Sequence, residues 1–157
     1  MTQIIFGDRI AKNAKIGVGS VAALFDESGK RLFLTKRSDN GLWCLPGGGM
    51  EPGEELAETC VREVLEETGL HVKVKRLIGI YSSPNVIIWY DTGSGDKVQV
   101  VSAMFEVELV GGELTVSSET TEFGYFFQNE IEDLTLMENQ RNRVADAFAK
   151  QEAAYIR

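Results

Sequence analysis

Cysteine is almost missing from this chain: 157 residues contain two, Cys44 and Cys60. Two cysteines in apolar surroundings make no disulfide framework and read as small buried hydrophobes. Histidine occurs once, as His71; a lone histidine directly after a helix-ending glycine reads as a polar surface or strand residue and is given no role. Positive charge is in deficit, with 16 Lys and Arg against 24 Asp and Glu, a formal net charge of -8. On average such a chain is repelled by a nucleic-acid backbone, so no polynucleotide partner is expected. No apolar stretch approaches the roughly 18 residues that span a bilayer, and no basic segment followed by an apolar run opens the chain. A soluble, cytoplasmic protein without a membrane partner is the expectation. Internal repeats and low-complexity segments are also missing. The 43% hydrophobic composition is enough for one ordinary domain, 1–157, with a real core.

The most informative stretch is residues 47–70, GGGMEPGEELAETCVREVLEETGL. Ala57, Cys60, Val61, Val64, Leu65 and Thr68 recur at three- and four-residue steps and make one apolar stripe, which predicts a helix. Pro52 would sit in its first turn and Gly69 at its left-handed C-terminal cap. On that helix Glu63, Glu66 and Glu67 fall within roughly a 100° arc, opposite the stripe. Like charges at such spacing repel, and Glu67 gains nothing from the dipole near a helix C-terminus. A cation is needed among them. Arg62 and Lys73 supply part of it, but hard divalent cations prefer oxygen ligands, and Mg²⁺ is commonly held by one or two carboxylates plus substrate phosphates. A Mg²⁺ or Mn²⁺ site is the sharper expectation. The three glycines before the helix bring backbone close to whatever occupies the site, and the Gly47 carbonyl is a further candidate ligand.

Around that helix the chain reads as an α+β protein. Residues 1–15 form an N-terminal arm with a short strand at 3–6. A hairpin follows, 16–25 and 31–37 around the turn DESGK. An apolar run at 42–45 leads into the glycines. Strands are predicted at 72–81, 98–110, 113–116 and 123–128, with a connection at 82–97 holding the apolar VIIWY and a glycine turn. An acidic loop precedes a last helix at about 136–155. Neither regular βα alternation nor all-β, this order favours a mixed sheet between helices, an α/β/α sandwich.

The helix and its loop spell Gly48-x5-Glu54-x7-Arg62-Glu63-Val64-x-Glu66-Glu67-x-Gly69-Leu70. This resembles the Nudix box, GX5EX7REUXEEXGU with U aliphatic, at nine specified positions in a 23-residue window. The resemblance implies the Nudix fold and hydrolysis of a nucleoside diphosphate linked to another moiety, with Mg²⁺ or Mn²⁺ as cofactor. It implies metal ligation by Glu63, Glu66 and Glu67 and a positioning role for Arg62, which lies four residues from both Glu58 and Glu66. Glu54 is half a turn of the wheel from Glu63, so its role is structural. Family members take the general base from the box or from a later loop or strand, which makes Glu119 and Glu122 candidates, with Glu122 preferred.

Substrate choice is less legible. Trp43, Tyr81, Trp89 and Tyr90 could stack on a purine, and Tyr81, after the post-helix strand, and Trp43 are the favoured pair. In similar proteins that act on ADP-ribose a proline lies about fifteen residues beyond the box, and Pro84 stands fifteen after Gly69. ADP-ribose or a related nucleotide sugar is thus the favoured small-molecule partner. The alternatives are a MutT-like pyrophosphatase of oxidised nucleoside triphosphates and, from a different class, a nucleotide-sensing module that binds without cleaving. Such modules commonly have a degraded box, whereas every glutamate is present here. Homodimers are common among similar proteins, but no stretch of this sequence identifies an interface.

Overall fold

The computed structural model describes residues 2–90 and 96–157, the Tyr90 side chain excepted. The glycine turn expected within 82–97 and the stacking role considered for Tyr90 lie outside the described residues. In chain order the elements are β1 (Thr2–Phe6), a 3₁₀ turn (Ile10–Asn13), β2 (Lys15–Leu24), β3 (Arg31–Arg37), β4 (Trp43–Cys44), β5 (Gly47–Gly49) and α1 (Leu56–Thr68). Then come β6 (Leu70–Tyr81), β7 (Val86–Tyr90), β8 (Lys97–Gly112), β9 (Thr120–Phe127), α2 (Gln128–Glu132), a second 3₁₀ turn (Glu138–Gln140), α3 (Arg141–Ala149) and β10 (Tyr155–Ile156).

The large sheet is mixed and runs β1-β7-β8-β2-β5, with β6 on a further stretch of β8 and β10 beside β6. Its long spine is β8, parallel to β2 and antiparallel to β6 and β7. A second, antiparallel sheet is β4-β3-β9. Successive residues of a strand point to opposite faces, and β2 uses both. Val21 and Ala23 enter a core shared with Ile131 of α2 and Val144 and Ala147 of α3, while Ala22 and Leu24 enter a second core around Cys60 and Val64 of α1. β3 does the same: Leu32 and Leu34 belong to the first core and Phe33 to the second. Helices therefore cover both faces, and the expected α+β sandwich is the fold. Each Val, Leu, Ile or Phe among them, fully buried, contributes roughly 1.5–3 kcal/mol. Both cysteines are free and buried.

Helix α1 starts later than its periodicity suggests. Pro52 lies in the preceding turn, and the Glu58 carboxylate accepts a bond from the Glu55 N–H at 2.8 Å to cap the first turn at Leu56. Gly69 closes the helix as expected, in the left-handed region at φ 74°. Leu65, assigned to the apolar stripe, is 39% exposed, because the buried seam is narrower and centres on Cys60 and Val64.

Several boundaries differ from the sequence expectation. The hairpin of residues 16–37 closes with one bridge, Phe25 to Leu32, and then splays so that β2 and β3 enter different sheets. VIIWY is strand β7, paired antiparallel with the N-terminal arm. Residues 113–116 are not a strand; pairing ends with β8 at Gly112. The acidic segment after β9 holds α2, and the last helix is shorter than expected, ending at Lys150 in the left-handed region before the chain returns as β10. Lys73 pairs with Glu108 and not with the glutamates of α1. Among the described residues no helix is long and apolar enough to cross a membrane.

Candidate active site

The site is built where α1 lies against β5. Arg62 organises it through all three of its guanidinium nitrogens. Nε donates to Glu54 at 2.6 Å; Nη2 donates to the other Glu54 oxygen at 3.0 Å and to the Gly49 carbonyl at 2.8 Å; Nη1 donates to Glu63 at 2.8 Å and Glu66 at 3.1 Å. A planar fork with five donors suits this arrangement, and lysine could not reproduce it. Glu54 sits in the loop before α1, where it also accepts from Thr59 at 2.9 Å and from the Glu51 N–H at 2.9 Å. These bonds, Arg62's first, hold its carboxyl down at about 2. Glu58, the other expected neighbour of Arg62, is engaged at the helix cap.

The remaining carboxylates experience the opposite influence. Glu67 is 7% exposed and is pushed up to about 8, first by burial, against a bond from the Gly47 N–H at 3.2 Å, and further by the charges of Glu63 and Glu119. Burial also raises Glu63, opposed by Arg62 and reinforced by Glu66 and Glu119. A Cβ at Gly48 would stand 2.5 Å from the Glu63 carboxylate, so a side chain there would push that carboxylate from its place.

Among the described residues no three acidic, cysteine or histidine side chains are already gathered for a metal ion; Arg62 holds Glu63 and Glu66. The donor chemistry nonetheless fits a hard divalent cation. Glu63, Glu66, Glu67 and the adjacent glycine carbonyls are all oxygen donors, and negative charge is concentrated and partly desolvated there, as the raised Glu63 and Glu67 record.

The other sequence candidates lie elsewhere. Glu122, on β9, is 56% exposed at its side chain and paired with Lys36 at 2.7 Å. Glu119 is the one whose charge reaches Glu63 and Glu67. Trp43 is in the core, edge-on to Phe126 at 5.0 Å. Tyr81 is also in the core; its hydroxyl donates to Asp146 at 2.8 Å and the Arg143 guanidinium covers its ring at 4.9 Å. Pro84 is half-buried in the turn before β7, its carbonyl accepting from the Ala11 N–H.

One cavity continues from the glycine strand and a second adjoins it, the two sharing Ile88, Val100, Asn139 and Arg143. The first, about 300 Å³, is lined by Gly47, Gly48, Gly49, Arg37, Asn139 and Arg143; the other, about 380 Å³, by Tyr81, Arg143 and Arg157 among others. Arg143 borders both, 6% exposed, and burial brings it down to about 10. Its contact with Tyr81 is worth roughly 0.5–2 kcal/mol, less than the several kcal/mol that burying an ion costs. Sequence reasoning missed Arg143 because its position on α3 reads as polar helix surface. No periodicity separates it from Arg141.

Comparison with known proteins gives the family and the fold. The model of the NUDIX domain matches residues 15–148. The chain belongs to the NUDIX family. This NUDIX chain is 38% identical over 111 residues to an ADP-ribose pyrophosphatase of Methanocaldococcus jannaschii, covering 69% of this chain and 61% of that protein. It thus spans about three-fifths of that relative. It is 34% identical over 114 residues to a MutT-like protein of Streptomyces ambofaciens, covering 73% of this chain and 66% of the relative. Among solved structures, an ADP-ribose pyrophosphatase from Streptococcus suis superposes with a TM-score of 0.66 at 27% identity, over 90% of this NUDIX chain and 97% of the other.

Proposed function

We propose that this NUDIX protein is a divalent-metal-dependent pyrophosphohydrolase that cleaves the diphosphate bridge of ADP-ribose or a related nucleotide sugar. The observation that carries the reading is the Arg62 clamp, which presents Glu63 and Glu66 together beside the glycine strand against which Glu67 is buried. Glu63, Glu66, Glu67 and the Gly47 carbonyl would hold Mg²⁺ or Mn²⁺, and when bound such an ion neutralises diphosphate charge and lowers the pKa of a water. Arg62 and Glu54 fix the carboxylates before substrate arrives, so little reorganisation is left for the reaction. Glu119 is better placed than Glu122 to accept a proton from the attacking water, because Lys36 holds Glu122. With ADP-ribose, water adds to one phosphorus, the bridging P–O bond breaks, and AMP and ribose 5-phosphate leave.

The substrate assignment rests on the two ADP-ribose pyrophosphatase relatives and on Pro84. The MutT-like relative supports a second reading, nucleoside triphosphate cleavage. Hydrolysis measured across ADP-ribose, nucleotide sugars, normal and oxidised dNTPs and dinucleoside polyphosphates, each with Mg²⁺, Mn²⁺ or chelator, separates them. A metal-dependent preference of kcat/KM for ADP-ribose is expected. Preference for oxidised dNTPs selects the second reading, and silence across the panel overturns both.

A further inference from the structure

Among the described residues the other half-buried or buried arginines with a recorded partner face carboxylates: Arg37 meets Asp39, Arg62 meets Glu54, and Arg76 meets Glu106. Arg143 is different. It is 6% exposed, its Nε has no partner, and its Nη1 reaches only the Asn139 carbonyl, at 3.2 Å. The acids nearest along the chain are committed elsewhere: Glu138 to Arg141, and Asp146 to Arg157 and the Tyr81 hydroxyl. Tyr81 covers one face of the guanidinium, but a ring quadrupole offsets only part of the hydration lost. A buried cation without a counter-charge is costly unless a ligand supplies one.

Arg143 stands where the two cavities adjoin, both of which it lines with Asn139, Ile88 and Val100, and one of them reaches Gly47–Gly49. Two more buried groups on this turn are unpartnered, the amide oxygens of Asn139 and Gln140. Amide ends exchange by rotation about the last torsion, so each can turn its NH₂ toward an anion. The cavity of about 380 Å³ is also lined by Arg141 and Arg157.

We infer that Arg143 is the centre of an oxyanion site of the phosphate-monoester class, separate from the carboxylates of α1. The anion is either a phosphate carried by the substrate remote from its diphosphate bridge or free inorganic phosphate. In the first case the site deepens the reading of the chain as a nucleotide-sugar hydrolase; in the second it stands without it. Arg143 Nε–H donates to the anion, and the anion's charge replaces the missing carboxylate.

The test is titration of the full chain with inorganic phosphate in the presence of chelator, followed by calorimetry and by the Arg143 Nε–H resonance. Saturable binding that moves this resonance is expected, lost at least tenfold in Arg143→Met and retained in Glu67→Gln. The resonance is read in the unaltered protein, so the proposal stays open to refutation even if Arg143→Met fails to fold. No saturable binding, or binding that leaves the Nε–H unmoved, overturns it. The source is then read from kcat/KM for ADP-ribose with and without a 2′-phosphate. A tenfold preference for the phosphorylated form that Arg143→Met erases assigns the anion to the substrate. Equal values, with phosphate altering both, assign it to the free ion. Because binding is measured without turnover, phosphate binding in an inactive protein refutes only the hydrolase reading, and turnover without binding refutes only the anion site.

Discussion

Glu67 and Glu54 belong to one motif yet sit in opposite electrostatic surroundings. Glu67 is buried beside two other negative charges and its carboxyl is raised to about 8, whereas Glu54, gripped by Arg62, is lowered to about 2. Glu66→Gln and Glu67→Gln keep side-chain volume and remove the anionic oxygens. Each is expected to lower kcat on the order of 10²–10⁴-fold while the circular dichroism spectrum and melting transition persist; unchanged turnover would remove that residue from the site. Glu54 gives a pH signature. Its folded-state pKa lies below the ordinary 4.5, so the folded chain binds fewer protons between 4.5 and about 2. That stabilisation is complete above pH 4.5 and is lost as pH falls through about 2. The gap in melting temperature between wild type and Glu54→Gln should be widest near neutral pH and close toward about pH 2. A gap that does not vary with pH would show that the pair's charge contributes nothing.

At the scale of elements, α1 has to hold its carboxylates in place with a well-made first turn. The bond from the Glu55 N–H to Glu58 satisfies one of the donors that a helix start leaves open. Glu58→Ala is expected to cost about 1 kcal/mol, a fall in melting temperature of about 2–4 °C for a chain of this size, with kcat held, since Glu58 makes no bond to Arg62 or to the glycine strand. A loss of activity without a loss of stability would instead place Glu58 in the site. This helix was legible because two independent patterns, an apolar period and a fixed spacing of glutamates, agreed over it. Its start was not, because Pro52 permits a helix but does not begin one. β7 and α2 were missed for different reasons: VIIWY is short and lacks clean alternation, and α2 spans five residues, too few for any helical period to register. The splay of β2 from β3 is also invisible locally, since DESGK forms the same turn whether the strands beyond it stay paired or part.

For the whole molecule, the mixed sheet between helices followed from element order, but the long-range polar contacts did not, because residues distant in sequence leave no periodic trace. Arg143 at the cavity junction is one such case, and Asp146 is another. Asp146 is 3% exposed, accepts from the Tyr81 hydroxyl at the end of β6, and takes Arg157 through two bonds of 2.8 and 2.7 Å. It joins α3, β6 and the residue after β10 at one carboxylate. Strand β10 has two residues, too few to hold by pairing alone, and Arg157 also exchanges backbone bonds with Ile80 and Ser82. Asp146→Ala would leave the buried Tyr81 hydroxyl without an acceptor, at a cost of about 1–3 kcal/mol, and would free the exposed Arg157 guanidinium to water. Asp146→Asn keeps an acceptor for Tyr81 and removes only the charge, so it should cost less. Urea unfolding reads both as lower midpoints at an unchanged slope. Equal losses for the two variants would mean that the charge of Asp146 alone, and not its hydrogen bonding, ties these three elements together.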